Sequence, residues 1–166
     1  MATGDVEQVH ALDIISFAMP WSERSYRYEV SQNQNAILWV AEDVGDSPAA
    51  QEGLPVHIVG MIVVWFIVDE AHIGTIAVHP DYQRCGIGRR LLAASLLESQ
   101  KLGAVTALLE VRSSNLAAQD LYKKFGFVKA GVRSHYYQDN GEDALLLNLD
   151  HLDHEALMAL LSEEVK

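Results

Sequence analysis

The sequence predicts a single α/β domain with a mixed sheet, and three observations carry that prediction. Hydrophobic periods follow one another in the order helix, helix, three strands, helix, strand, helix, two strands. The chain has 166 residues, 49% of them hydrophobic, enough to bury one sizeable core and too few for two ordinary domains. A glycine-bearing segment, Gln83-Arg84-Cys85-Gly86-Ile87-Gly88, joins an apolar strand to a helix start, where an α/β fold can bind an anion.

In order, residues 6–17 carry Val6, Val9, Leu12 and Ile15, continued by Ala18, at three-residue spacing, the mark of a helix side, with Thr3 or Asp5 as its cap. Pro20 ends that helix, Met19-Pro20-Trp21 forms an apolar elbow, and Ser22 caps a second helix to about residue 32. A strand follows at 36–42. Residues 45–53 hold Asp, Ser, Pro, Gln and Glu without apolar period and read as a long hairpin connection. Strands at 57–68 and 71–78 are expected to pair antiparallel through a tight turn at Asp69-Glu70. Pro80 closes the second. Next comes a helix at 89–101 with Leu91, Leu92, Ser95, Leu96 and Ser99 facing inward and Gly103 as its stop. A buried strand at 105–111, a helix at 115–125 stopped by Gly126, a strand at 127–132, a turn at Asp139-Asn140-Gly141 and a strand at 144–149 complete the body. Residues 1–150 form this domain. Residues 151–166 are a C-terminal helical extension, acidic, with Leu157, Leu160 and Leu161 on one side to pack on the domain or a partner.

The longest apolar stretch, 58–68, contains Gly60 and stops well short of the roughly 20 residues a membrane-spanning helix needs. Met1-Ala2-Thr3-Gly4-Asp5 lacks the basic patch and greasy core of a secretory signal, so a cytoplasmic protein is expected. The solitary Cys85 leaves no internal disulfide. A net charge of -11 opposes direct binding of nucleic acid and favours a basic macromolecular partner, the alternative being an acidity that serves solubility alone. Seven histidines include no triad at metal-ligand spacing; His151 and His154 are one turn apart without partners, and no metal is expected.

Within the joint at 83–88, Gly86 and Gly88 let the backbone approach a ligand closely, so that successive N–H groups converge on one anion. The helix that begins there adds its positive end. Arg84, Arg89 and Arg90 concentrate positive charge in an otherwise acidic chain, which favours a phosphate-bearing ligand. A dinucleotide fingerprint needs a third glycine after the first strand, and a nucleoside triphosphate loop ends in Gly-Lys-Ser/Thr; this chain has Arg89-Arg90-Leu91 instead.

Gln83 to Gly88 resembles the [Q/R]-x-x-G-x-[G/A] signature of the GCN5-related N-acetyltransferase superfamily, and the resemblance spans nearly the whole chain. Ala18-Met19-Pro20-Trp21-Ser22, the run from Ile76 to Arg84, the run from Leu109 to Asn115, Leu121-Tyr122 and Tyr136-Tyr137 resemble its peptide amino-terminal acetyltransferases, the bacterial ribosomal-protein alanine acetyltransferases in particular. The resemblance implies a mostly antiparallel sheet with acetyl-CoA as co-substrate. Gln83, Arg84, Cys85, Gly86, Ile87, Gly88 and Arg89 would then hold its pyrophosphate, the backbone of Ile76, Ala77 and Val78 its pantetheine and acetyl carbonyl, and Asn115 would make a polar contact. It makes Glu110 the general base and Tyr122 the acid that protonates the leaving thiolate.

Glu110 lies in an apolar strand, where desolvation would raise its pKa; the alternative is an ion pair with an arginine such as Arg112. Tyr122 follows Asn115 by seven positions and so shares its helix face; the alternative is a core aromatic. Met19, Pro20 and Trp21 match the wall of a first-residue pocket, with Met19-Pro20 where relatives often have Phe-Pro, and Tyr136 and Tyr137 match a pair that holds the peptide backbone; edge packing is the alternative for all five. Cys85 in the anion loop is either activated by the helix end or a tolerated small side chain. Family members have a strand before the first helix, which here is missing or very short. The implied reaction is acetylation of a protein N-terminus, a ribosomal-protein alanine foremost, against two alternatives: acetylation of a small-molecule amine, and a catalytically silent acyl-CoA-binding module.

Overall fold

The computed structural model describes residues 1–44 and 57–163; the connection expected at 45–53 lies outside them. Helix α1 (Val6–Ser16) buries Val6, Val9 and Leu12. Ile15, placed on the same side by its spacing, is exposed, because a 3.6-residue period carries every third residue progressively round the helix. Asp5 stands at the cap position without bonding the helix; its carboxylate accepts from the Ala2 N–H. Ser22 does cap α2 (Glu23–Ser31), accepting from the Ser25 N–H at 3.1 Å.

Six strands follow: β1 (Ala36–Asp43), β2 (His57–Ile67), β3 (Glu70–Val78), β4 (Thr106–Arg112), β5 (Val128–Arg133) and β6 (Ala144–Leu149). Their spatial order is β1-β2-β3-β4-β6-β5. Every neighbouring pair is antiparallel except β3 and β4. The β2–β3 turn falls on Val68-Asp69, one residue earlier than expected, since Glu70 already pairs with Ile67. Val68 adopts φ 61°, an outlying conformation for a β-branched residue. β1 and β5 are the sheet edges, and among the described residues no strand precedes α1; the Met1 ammonium donates to the Leu38 carbonyl of β1 at 3.1 Å.

Strand β2 divides the interior in two because alternate side chains leave opposite faces. Ile62 and Val64 meet Leu92 and Leu96 of α3 (Ile87–Leu102), while Met61 and Val63 meet Val6, Val9, Leu12 and Tyr26 under α1 and α2. Helix α3 buries all five residues that its period assigned inward. Its two buried serines are satisfied within the helix, Ser95 Oγ donating to Leu91 O and Ser99 Oγ to Ser95 O. The helix begins at Ile87 rather than 89, because Gly86 at φ 73° supplies the cap, and it stops at Gly103, φ 108°. A Cβ on Gly60 would lie 2.9 Å from Ile87, so glycine there lets α3 sit close on β2.

Helix α4 (Leu116–Lys124) is capped by Asn115, and α5 (His154–Ser162) by Asp153. Leu152 and Leu157 are buried in the main core, with Leu160 and Leu161 packed against it, so the C-terminal helix rests on the domain. Among the described residues no helix is long and apolar enough to cross a membrane.

Candidate active site

Strands β3 and β4 pair only from Glu70 with Thr106 to Ile73 with Leu109. At the point where they part, Gly74 is an extra residue in β3: Val63 pairs with Thr75 and Val64 with Ile73, the arrangement of a β-bulge. The Trp65 ring lies so close that a Cβ on Gly74 would sit 2.8 Å from it. Beyond the bulge the β4-facing backbone of β3, Ile76 to Val78 included, has no ladder partner in β4.

A cleft of about 310 Å³ opens there, walled by Thr75 and Ile76 of β3, by Glu110 and Arg112 of β4, and by Asn115, Ala118 and Tyr122 of α4. Phe17, Met19 and Trp21 of the elbow and Tyr137 of the β5–β6 connection complete it. That volume is at the low end for ligand sites and suits the reacting ends of two substrates.

In β4, Ala107, Leu109 and Val111 take the buried face, and the two-residue period puts Glu110 on the other. The apolar burial expected of Glu110 is therefore absent: its side chain is 31% exposed and pairs with Arg133 Nη1 at 2.5 Å. The arginine is Arg133, from β5, and not Arg112. Tyr136 OH donates to the other carboxylate oxygen at 2.8 Å. Tyr122 is buried, and that burial, with the nearby Tyr137, pushes its hydroxyl above the ordinary tyrosine range. Its ring packs edge-on against Phe127 at 5.7 Å, while its hydroxyl has no hydrogen-bond partner among the described residues. Asn115 Oδ1 is occupied as the α4 cap, accepting from the Ala118 N–H at 3.1 Å.

The elbow is held by a residue that sequence reasoning missed. Asp13, 1% exposed in α1, accepts the Trp21 N–H at 2.6 Å through Oδ2, while Oδ1 and the neighbouring Tyr26 hydroxyl are buried without hydrogen-bond partners. Burial pushes the Asp13 carboxyl above its usual range. The one available signal was an acid directly after Leu12 and four residues after Val9, at the edge of the buried side. Trp21 stacks on Trp65 at 5.7 Å with 6° between planes, and Trp65 Nε1 donates to Glu29. Met19 is exposed and lines the cleft; Pro20 is exposed and does not. Tyr137 lines the cleft, whereas Tyr136, 5.2 Å from it and edge-on, reaches it through Glu110.

The glycine joint packs on two of the elements that wall the cleft: a Cβ on Gly88 would meet the side chains of Val78 in β3 and Leu121 in α4, each at 3.6 Å. Arg84 and Gly86 both have positive φ, 65° and 73°, and the first-turn N–H groups of α3 have no intrahelical acceptor. Gln83 Nε2 donates to Val78 O at 3.2 Å. Arg84, Cys85 and Arg90 are exposed. Arg89 departs from expectation: its guanidinium turns away, 8% exposed, to bond the Leu160 and Glu163 carbonyls and the Glu163 carboxylate at the end of α5. Helical period sends its side chain to the inner face with Ala93, and only its backbone stays in the joint. A convergent set of amides flanked by Arg84 and Arg90, leading to an unpaired strand edge, fits an elongated pyrophosphate ligand such as CoA. Among the described residues no group of three or more His, Cys, Asp or Glu is arranged to hold a metal.

Comparison with known proteins agrees with this geometry. Residues 6–127 match the model of the Acetyltransferase (GNAT) family. The [ribosomal protein bS18]-alanine N-acetyltransferase of Escherichia coli (strain K12) is 35% identical over 151 residues, which are 90% of this chain and 93% of that protein. The crystal structure of the ribosomal-protein-S18-alanine N-acetyltransferase from Escherichia coli superposes with a TM-score of 0.77 at 32% identity, covering 92% of both chains. A chain from the crystal structure of the NatC complex bound to Gag peptide and CoA gives 0.77 at 25% identity, covering 89% of this chain and 91% of that one. With its parted strands, its glycine joint and a family match over residues 6–127, this chain belongs to the acetyltransferase (GNAT) family.

Proposed function

We propose that this chain transfers the acetyl group of acetyl-CoA to the α-amino group of a protein's first residue, an N-terminal alanine of a ribosomal protein being the foremost acceptor. The observation that carries this reading is the convergence of Glu110, Tyr122, Tyr137, Met19 and Trp21 on one cleft between β3, β4 and α4, with the glycine joint packed on β3 and α4. The 35% identity to a bS18-alanine N-acetyltransferase along 93% of that enzyme points to the same acceptor. The excess of acidic over basic residues, 23 against 12, suits a basic acceptor protein.

Acetyl-CoA supplies a thioester, an acetyl group activated towards an amine. The joint from Gln83 to Gly88 would hold its pyrophosphate, with Arg84 and Arg90 adding charge, and the unpaired edge of Ile76, Ala77 and Val78 would receive the pantetheine arm. An α-ammonium has a pKa near 8, so it must shed a proton before attack. Glu110 faces the cleft with lone pairs to spare on each oxygen beyond those used by Arg133 and Tyr136, and takes that proton directly or through one water. Tyr122, pushed up by burial, keeps its proton at neutral pH, so it acts as a donor, positioned to protonate the departing sulfur. Met19 and Trp21 wall the acceptor's first side chain, and Tyr137 the chain beyond it.

Competition among amines tests this reading. Offered acetyl-CoA with equal concentrations of an alanine-initiated peptide and a polyamine, the protein acetylates the peptide first, and Tyr137→Leu slows that reaction. Faster polyamine acetylation that is indifferent to Tyr137→Leu would sink it.

A further inference from the structure

We infer that Arg112 is the positioning residue of the acceptor wall: it clamps the β5–β6 connection so that Tyr137 is held at a fixed distance from Glu110. The inference rests on the function proposed above for that cleft. The connection, residues 134–143, contains no helix or strand, and a ten-residue segment of this kind keeps one conformation only where side chains tie it down.

Arg112 ties it at four points. Nη2 donates to both carboxylate oxygens of Asp139 at 2.9 Å, Nη1 to Asn140 and Glu142 at 3.3 Å, and the flat guanidinium lies 3.7 Å from the centroid of the Tyr137 ring. Asp139, Asn140, Glu142 and Tyr137 all belong to the connection, so the side chain's hydrogen bonds and ring contact serve that segment and not the sheet. Glu142 extends the clamp to the start of α4, accepting from the Ser114 N–H at 2.6 Å and the Ser113 hydroxyl at 3.0 Å. Those bonds, with Ser114 foremost, hold its carboxyl down at about 2, so the anchor stays charged at any working pH.

The position of Arg112 along the strand gives the clamp its function. Glu110 and Arg112 are alternate residues of β4 and leave the same face. Tyr136, next to Tyr137, donates to Glu110. One rigid strand therefore pins the connection at two places about 7 Å apart, and the separation between the tyrosine wall and the carboxylate is set by the strand itself. The clamp needs a planar fork that pairs with a carboxylate while lying flat on a ring, which arginine provides and lysine does not. Arg112 lines the cleft, but both its terminal nitrogens are engaged by the connection, so it acts on the acceptor through Tyr137.

The test compares wild type, Arg112→Lys, Asp139→Ala, Tyr137→Leu and the double variant Arg112→Lys/Tyr137→Leu in steady-state kinetics with each substrate varied. Hydrogen exchange of residues 134–143 is measured alongside. The clamp predicts that Arg112→Lys and Asp139→Ala raise the acceptor KM about tenfold or more, the scale of one lost charge-assisted pair, with the acetyl-CoA KM unchanged. It predicts faster exchange at Tyr137 and Gly141, and no further loss when Arg112→Lys is added to Tyr137→Leu. An unchanged acceptor KM and exchange in either folded single variant overturns it, as does a full additional loss in the double variant or an equal rise in the acetyl-CoA KM. If Arg112→Lys does not fold, Asp139→Ala opens the same fork from the other side and decides alone. If wild type modifies a different amine, the functional reading fails; the clamp is then judged on the KM for that amine and on the exchange data.

Discussion

At the scale of single residues, the reaction proposed above rests on two groups whose settings differ. Glu110 faces the cleft between Arg133 and the Tyr136 hydroxyl, whereas Tyr122 is enclosed and keeps its proton. Glu110→Gln is expected to lower kcat by about 10²–10⁴, the usual share of general-base catalysis, while calorimetric titration with CoA shows nearly unchanged affinity. Asp13 gives a prediction about stability. Because burial raises its carboxyl, the folded protein holds that proton more tightly than the unfolded chain does. Its contribution to stability is full below an ordinary carboxylate pKa of about 4 and is lost as pH rises through the raised value. Asp13→Asn keeps an acceptor for the Trp21 N–H and does not titrate. In denaturant melts the variant should therefore gain on wild type as pH rises from about 4 to 7. Family resemblance brings Glu110 and Tyr122 forward as candidates, and both line the cleft. The setting of Glu110 was not legible in the sequence, because a period of two decides which face an acid takes and the strand's apolar content alone does not.

At the scale of elements, α3 and the joint before it were legible because their determinants are local: Gly86 at the helix start and Gly103 at its end, with φ of 73° and 108°, and a 3.6-residue period between them. What remained hidden depends on residues far apart in the chain. The Gly74 bulge that starts the cleft answers to Trp65 on the neighbouring strand, and Arg89 answers to Glu163, 74 positions later. A charge count in the joint cannot distinguish Arg89, turned to α5, from Arg84 and Arg90. Arg89→Ala leaves the Leu160 and Glu163 carbonyls without their donor. The exposed Glu163 carboxylate adds little, so a loss of about 1–2 kcal/mol is expected. Calorimetry should then record a fall in Tm of roughly 2–8 °C for a domain of this size, with little change in the acetyl-CoA KM. Gly74→Val drives a side chain into the Trp65 ring and, through the Trp21–Trp65 stack, should raise the acceptor KM as well as lower Tm.

At the scale of the whole molecule, the α/β order, the single domain and the three hairpin pairs among the sheet's five strand neighbourhoods, β1–β2, β2–β3 and β5–β6, follow from turns and periodicity. The parallel contact of β3 with β4, on which the cleft depends, leaves no local trace in either strand. The acidic surface, with net charge -11, makes encounter with a basic acceptor sensitive to salt. The KM for a lysine-rich acceptor peptide should rise between about 0.05 and 0.5 M salt, where screening shortens from roughly 14 Å to 4 Å, and that for a neutral peptide should stay level. The proposed acceptor is distinguished by its α-amino group. Tandem mass spectrometry of one peptide in two forms tests it most directly: alanine-initiated with an internal lysine, and the same peptide with its α-amine blocked. One acetyl group is expected on the α-nitrogen of the first form and none on the second; acetylation of the lysine in the blocked peptide at the same rate would contradict α-amine specificity.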